Sequence, residues 1–146
     1  MKRFGQCLSF LLAAAMLLSF PVRAAEAIEP RASDFFLSHS AYLREVDSFN
    51  FRIVFCVTAT GTMEELGVEK IKVQISSDGE NWATTQTYTR DTHPQFIKEN
   101  ALVHGYDFNY NGSRGYYYRA IMTLYAKNST GQGVYTVYTP VIQLGT

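Results

Sequence analysis

Glu69 to Arg90 reads EKIKVQISSDGENWATTQTYTR. Ile71, Val73 and Ile75 alternate with Lys70, Lys72, Gln74 and Ser76, so one face is apolar and the other is wet. A period of two marks a half-buried strand, because successive side chains point to opposite faces. Asp78-Gly79 follows, a pair suited to the positive φ of a tight connection. A second alternating run starts at Trp82, the only tryptophan, and continues through Thr84, Gln86 and Tyr88. The expectation is a β-hairpin with Trp82 at its mouth.

Upstream, Asn50 to Thr60 places Phe51, Ile53, Phe55, Val57 and Ala59 on one face and Arg52, Val54, Cys56 and Thr58 on the other. That pattern predicts a central strand. Asp34 to Arg44, with FFL and AYL around Ser38-His39-Ser40, gives an irregular first strand, and Glu45 to Asn50 a polar turn. Between the central strand and the hairpin, Thr62-Met63-Glu64-Glu65 matches a capping box and Gly67 suits a helix C′ position. One short helical turn is expected there.

Downstream, Asp91 to Asn100 (DTHPQFIKEN) predicts a loop, since Pro94 excludes a central strand. Alternation returns over Ala101 to Tyr110, and Asn111 to Gly115 is a turn. Tyr116 to Lys127 is a long strand with Tyr116, Tyr118, Ala120, Met122 and Leu124 in one row. Tyr117, Arg119, Ile121, Thr123 and Tyr125 form the other row. After an Asn128 to Gly133 turn, Val134 to Leu144 supplies a last strand, with Pro140 placing its end at an edge. Seven short strands with turns between them predict an all-β fold, a seven-stranded antiparallel two-sheet sandwich of immunoglobulin or fibronectin type. A small barrel or a jelly roll needs the same pattern.

The N-terminus carries a basic start, Met1-Lys2-Arg3, then an apolar run from Leu8 to Phe20 ended by Pro21. Small residues follow in Val22-Arg23-Ala24 and Ala25-Glu26-Ala27. These are the parts of a secretory signal peptide over residues 1–27, cleaved after Ala24 or Ala27. The apolar run falls short of the roughly 20 residues a spanning helix needs. A single domain, residues 28–146, remains, with no membrane span. Cleavage after Ala27 removes Lys2, Arg3, Arg23 and Glu26 from thirteen basic and thirteen acidic residues, leaving ten and twelve, a net charge of −2. That balance argues against a nucleic-acid partner or a polybasic membrane surface. Only Cys56 stays in the mature chain, so the core holds by packing without an intramolecular disulfide.

No catalytic set stands out. His39, His93 and His104 are dispersed, and no HExxH, GxSxG or Cys-His pattern occurs. Asp91 and His93 are an ordinary polar loop pair, and mid-strand Cys56 has no flanking basic residue to activate it. Asp78, Glu80 and Asn81 crowd one turn, but their spacing is not that of an EF-hand loop. The expectation is therefore no enzyme, no metal and no cofactor.

Aromatic residues are the positive signal. The mature chain keeps seven Phe, ten Tyr and Trp82. Tyr106, Phe108 and Tyr110 make one candidate ligand-binding row, and Tyr117 and Tyr125, with Arg119 between them, make another. Tyr135 and Tyr138 are three apart and cannot share a strand face. The bland alternative is that these rings simply pack the sheets.

The segments TGTMEELGVEKIKVQISSDGENW (residues 60–82), TYT (Thr87 to Thr89) and YNGSRGYYYRAIMTLYAK (Tyr110 to Lys127) resemble a family of small exported proteins. These come from Gram-positive, clostridia-type bacteria and form a domain family of unknown function. The resemblance covers nearly the whole mature chain and implies a secreted β-rich domain, with no activity or site residue to carry over. GYYYRAIMTLYAKNSTGQG (residues 115–133) also resembles the last hairpin of fibronectin type III modules. Together these features lead to an expected secreted, non-enzymatic binding module for a glycan or cell-wall polymer, or for another protein. The alternative is a structural protein that self-assembles through its exposed last strand, Val134 to Ile142.

Overall fold

A computed structural model describes residues 31–146 of the 146-residue chain, so the signal-peptide reading lies outside the described residues. A short helix, α1 (Ala32–Phe35), leads into β1 (Phe36–Asp47) and then β2 (Asn50–Ser76). β3 (Ala83–Thr89), a 3-10 turn (Pro94–Phe96), β4 (Ile97–Asn111), β5 (Tyr117–Asn128), β6 (Gly131–Tyr138) and β7 (Ile142–Gln143) follow. The chain is all-β, and its strands form one curled antiparallel sheet.

β2 organises everything. Its first half pairs with β1 on one side and β4 on the other, and its second half pairs with β5 and β3. β6 and β7 extend the sheet beyond β5. Fully extended, the 24-residue interval from Phe51 to Ile75 would span roughly 80 Å. Yet the Phe51 ring lies 4.9 Å from that of Tyr118, which pairs with Ile75. β2 therefore doubles back near its middle. The reversal coincides with a bulge: four residues of β2, Ala59 to Thr62, face only Leu102 of β4. Nearby on β4, Asn100 takes φ 52°, a left-handed conformation that asparagine tolerates.

The two halves of the strand close over a common core. Phe51, Ile53, Phe55, Val57 and Ala59 are buried on the inner side of the first half, as the alternation predicts, and Ile71 and Val73 on that of the second. Tyr118, Ala120, Met122, Leu124 and Ala126 complete it from β5, Phe96 from the 3-10 turn and Phe35 from α1. The buried Tyr118 hydroxyl accepts a hydrogen bond from Ser113 N at 2.7 Å, so its polar end is satisfied inside the core.

Several expectations change. Two separate sheets were expected, whereas one sheet serves both layers because β2 belongs to each. The seven strands agree in number only: the central strand and the first hairpin strand are one continuous β2, and the last strand divides at Pro140 into β6 and β7. Thr139 bridges that division, donating N–H to Ala120 O at 3.0 Å and accepting Ala120 N at its hydroxyl at 2.9 Å.

The helical turn at Thr62 to Gly67 does not form. Met63, Leu66 and Val68 are buried, and Glu65 to Gly67 pair with both β4 and β5, so sheet pairing overrides the capping pattern. Gly67 is needed for a different reason: a Cβ there would stand 1.9 Å from the Phe96 carbonyl oxygen. The Asp91 to Asn100 loop is shorter than expected, because Ile97, Lys98 and Glu99 pair with β2 across Gly67, Leu66 and Glu65. The irregular start of the first strand is α1, whose Phe35 ring occupies space left by the missing side chain of Gly133.

Candidate functional site

The outer side of the second half-sheet is built by strict register. Gln74 of β2 lies opposite Arg119 of β5, Lys72 opposite Ile121 and Lys70 opposite Thr123. On β6, Tyr138 lies opposite Ile121 and Thr136 opposite Thr123. On β3, Thr84 lies opposite Gln74 and Thr87 opposite Lys72.

Trp82 reaches this side through a β-bulge. Val73 pairs with Gln86 but Gln74 pairs with Thr84, so Thr85 is the extra residue. A one-residue slip exchanges the faces of a strand. Gln86 and Tyr88 consequently lie on the inner side, where the Tyr88 ring meets Phe108 at 5.0 Å. Thr84 and Trp82 lie outside. The single alternating row expected from Trp82 to Tyr88 is thus two rows on opposite faces.

Arg119 is the centre of the outer cluster. Its guanidinium carbon sits 4.4 Å from the Trp82 ring centroid and 5.7 Å from that of Tyr138. Its Nε donates to Gln74 Oε1 at 2.7 Å, which fixes the plane of the group. The terminal guanidinium nitrogens have no carboxylate partner among the described residues. Tyr138 is 62% exposed, while Trp82 and Arg119 are half-buried. The cation is thus packed against two aromatic rings and oriented by an amide.

The loop that carries Trp82 is held from within. Asp78 Oδ1 accepts from the backbone N–H of Glu80 at 2.9 Å and of Asn81 at 2.8 Å, and from Ser76 Oγ at 2.8 Å. Asp78 Oδ2 accepts from Asn81 Nδ2 at 2.6 Å. The bonds from Asn81, then those from Glu80 and Ser76, hold the Asp78 carboxyl far below the usual carboxylate range. Gly79 follows at φ 78°, the positive φ the dipeptide predicts. The Asp78 oxygens are therefore engaged in shaping the turn. Among the described residues no three His, Cys, Asp or Glu side chains gather as metal ligands.

The residues singled out from sequence are placed as follows. Tyr106, Phe108 and Tyr110 lie opposite Phe55, Ile53 and Phe51, on the inner side of β4. They are half-buried flanks of the core, with Phe108 5.4 Å from Phe96 and Tyr110 4.9 Å from Phe51. Tyr117 and Arg119 do share the outer row of β5. Tyr125 belongs to the same row but is only 8% exposed, because the Arg90 guanidinium covers its ring at 4.9 Å. Arg90 in turn pairs with Glu65 at 2.9 Å. Tyr135 and Tyr138 take opposite sides as expected: the Tyr135 ring lies tilted against His39 at 5.2 Å, and Tyr138 faces Arg119. Sequence reasoning missed Trp82 and Tyr138 as partners of Arg119.

No protein-family model matches the chain, and no curated protein matches it. Among solved structures, one assigned to the late embryogenesis abundant (LEA) proteins shares 12% identity, covering 75% of this chain and 73% of its own, with a TM-score of 0.45. A Bordetella pertussis structure assigned to ApaA shares 13%, covering 77% of this chain and 94% of its own, with a TM-score of 0.45. The sporulation control protein Spo0M of Bacillus subtilis shares 9%, covering 70% of this chain and 47% of its own, with a TM-score of 0.41. With TM-scores below 0.5, these likenesses carry no argument about this chain.

Proposed function

We propose that the protein is an exported, non-enzymatic binding domain, sandwich-like in having two facing layers, that holds an extracellular glycan or cell-wall polymer on the outer side of its second half-sheet. The observation that carries this reading is the Trp82–Arg119–Tyr138 cluster, with an exposed tyrosine ring beside an aromatic-flanked cation. Sugar rings present apolar C–H faces that pack on aromatic rings, and hydroxyls that pair with polar side chains such as Gln74, Thr84 and Thr136. The cluster spans β2, β5, β6 and the approach to β3, a breadth that suits an extended polymer. The N-terminal sequence pattern and the resemblance to small exported bacterial proteins support export. Retention on insoluble cell-wall and plant polysaccharides tests the reading. Tyr138→Ala and Trp82→Ala should each abolish retention, whereas Tyr106→Ala should not; retention that survives both substitutions would overturn it.

Self-association through the last strand is the second reading. Among the described residues β6 pairs only with β5, and it exposes Val134 and Tyr135 at 45% and 46%. An open edge of this kind accepts another strand. Size-exclusion chromatography checks this: a discrete oligomer that Thr136→Pro converts to monomer would favour assembly over glycan capture.

A further inference from the structure

Resting on the glycan reading, we infer that the polymer is acidic and carries its charge as carboxylate on sugar rings, as a uronate polysaccharide does. Around Arg119 and Lys72 the charge on the outer side of the second half-sheet is one-sided, whereas further along that side Arg90 is paired with Glu65. Lys70, Lys72 and Arg119 project from β2 and β5, and their opposite and flanking positions are Thr89, Thr87, Thr84, Thr123, Ile121, Thr136 and Tyr138. None of these strand positions holds a carboxylate, although acidic residues outnumber basic ones over residues 28–146. The nearby Asp78 is bonded into its own turn.

The same strand shows the contrasting arrangement. On the outer side of the first half, Arg52 is neutralised by a salt bridge to Asp107 and donates to Asn109 Oδ1 at 3.1 Å. Arg119 spends only Nε on a neutral amide, leaving its terminal nitrogens to a ligand. A planar guanidinium fork matches a planar carboxylate in bidentate fashion. The rings of Trp82 and Tyr138 on either side call for a ligand with ring faces to stack, which a phosphate-linked polyol chain lacks. Lys72, one strand over and exposed, supplies a second charge for the next acidic residue along the polymer.

The test measures affinity of the purified protein for polygalacturonate, alginate and hyaluronate, each compared with its methyl-esterified, uncharged form. At least one acid form should bind ten-fold or more tightly than its ester, and its affinity should fall as salt rises. Arg119→Gln should lose that preference and Lys72→Gln part of it, while Arg52→Gln stays within two-fold of the parent protein. Should Arg119→Gln fold poorly, Lys72→Gln and the salt dependence of the unaltered protein decide. Equal binding of acid and ester forms, or binding to neutral glycans alone, would overturn the acidic ligand and leave the glycan reading standing. Binding to no glycan at all would overturn both.

Discussion

The two halves of β2 obey one alternation and share one core, yet their outer sides differ in kind. In the first half Arg52 is bonded to Asp107 and Asn109, so that cation is balanced within the protein even with Arg44 opposite it on β1. The second places Arg119 between Trp82 and Tyr138 and orients it with Gln74, with no opposite charge beside it. A solvated face needs only polarity, which the first half supplies. A stacked and oriented cation without a counter-charge costs side-chain freedom and fits a ligand that brings the charge.

The largest expected effect breaks both sides at once. Gly67 lies where β2 pairs with β4 and β5 together, and a Cβ there would overlap the Phe96 carbonyl oxygen. Gly67→Ala should cost about 4 kcal/mol or more, at the exceptional end for a single substitution, or prevent folding. Urea denaturation, with soluble yield as a second readout, checks it. Next comes Phe51→Ala, which removes the fully buried ring joining β2 to Tyr110 and Tyr118. A loss of about 3–5 kcal/mol is expected by chemical denaturation.

The comparison sharpens with paired arginine variants. Arg52→Gln breaks an ion pair whose side chains are 40% and 41% exposed, so its stability cost should stay below about 1 kcal/mol, with glycan retention intact. Arg119→Gln should cost about 1 kcal/mol in thermal denaturation, from lost stacking, and remove retention. Equal retention by the two variants would erase the distinction between the sides.

The smallest effect is a pH dependence confined to the first half. Burial, and secondarily the charge of Lys98, lower the His104 pKa, while Nε2–H donation to the Gln95 carbonyl at 2.9 Å acts against them. The folded protein therefore holds His104 neutral more strongly than the unfolded chain does. Its contribution is complete above about pH 6.5, the ordinary histidine value, and is lost as pH falls below it toward the folded pKa. Denaturation midpoints should decline over that window, and His104→Asn should flatten the decline.

Much of this was legible in the sequence, and the failures have physical causes. The inner rows of β2 and β5 follow from alternation, because burial on one face fixes the period. The Ser76 to Asn81 turn follows from its Asp-Gly pair. Thr62 to Gly67 misled because its capping pattern is local, whereas its strand partners are Ile97 to Ala101 and Tyr125 to Lys127, far along the chain. Of the candidate site, the shared face of Tyr117 and Arg119 is legible in the alternation of β5. Alternation places Trp82 in the row of Tyr88, because a bulge at Thr85 leaves no mark in a Thr-rich run. The proximity of Tyr138 to Arg119 depends on β5 and β6 being neighbours in register, which alternation does not encode. Alternation alone makes Tyr106, Phe108 and Tyr110 a candidate platform, but they flank the core because β4 pairs with the buried row of β2.

The most direct test follows the indole N–H resonance of Trp82, a unique reporter in this chain, during titration with the tightest-binding uronate polymer. A saturable shift of that resonance, together with the amides of Arg119 and Tyr138, is predicted, with the amides of Arg52 and Asp107 unmoved. Saturable binding that shifts the Arg52 side and leaves the Trp82 indole unchanged would contradict the account.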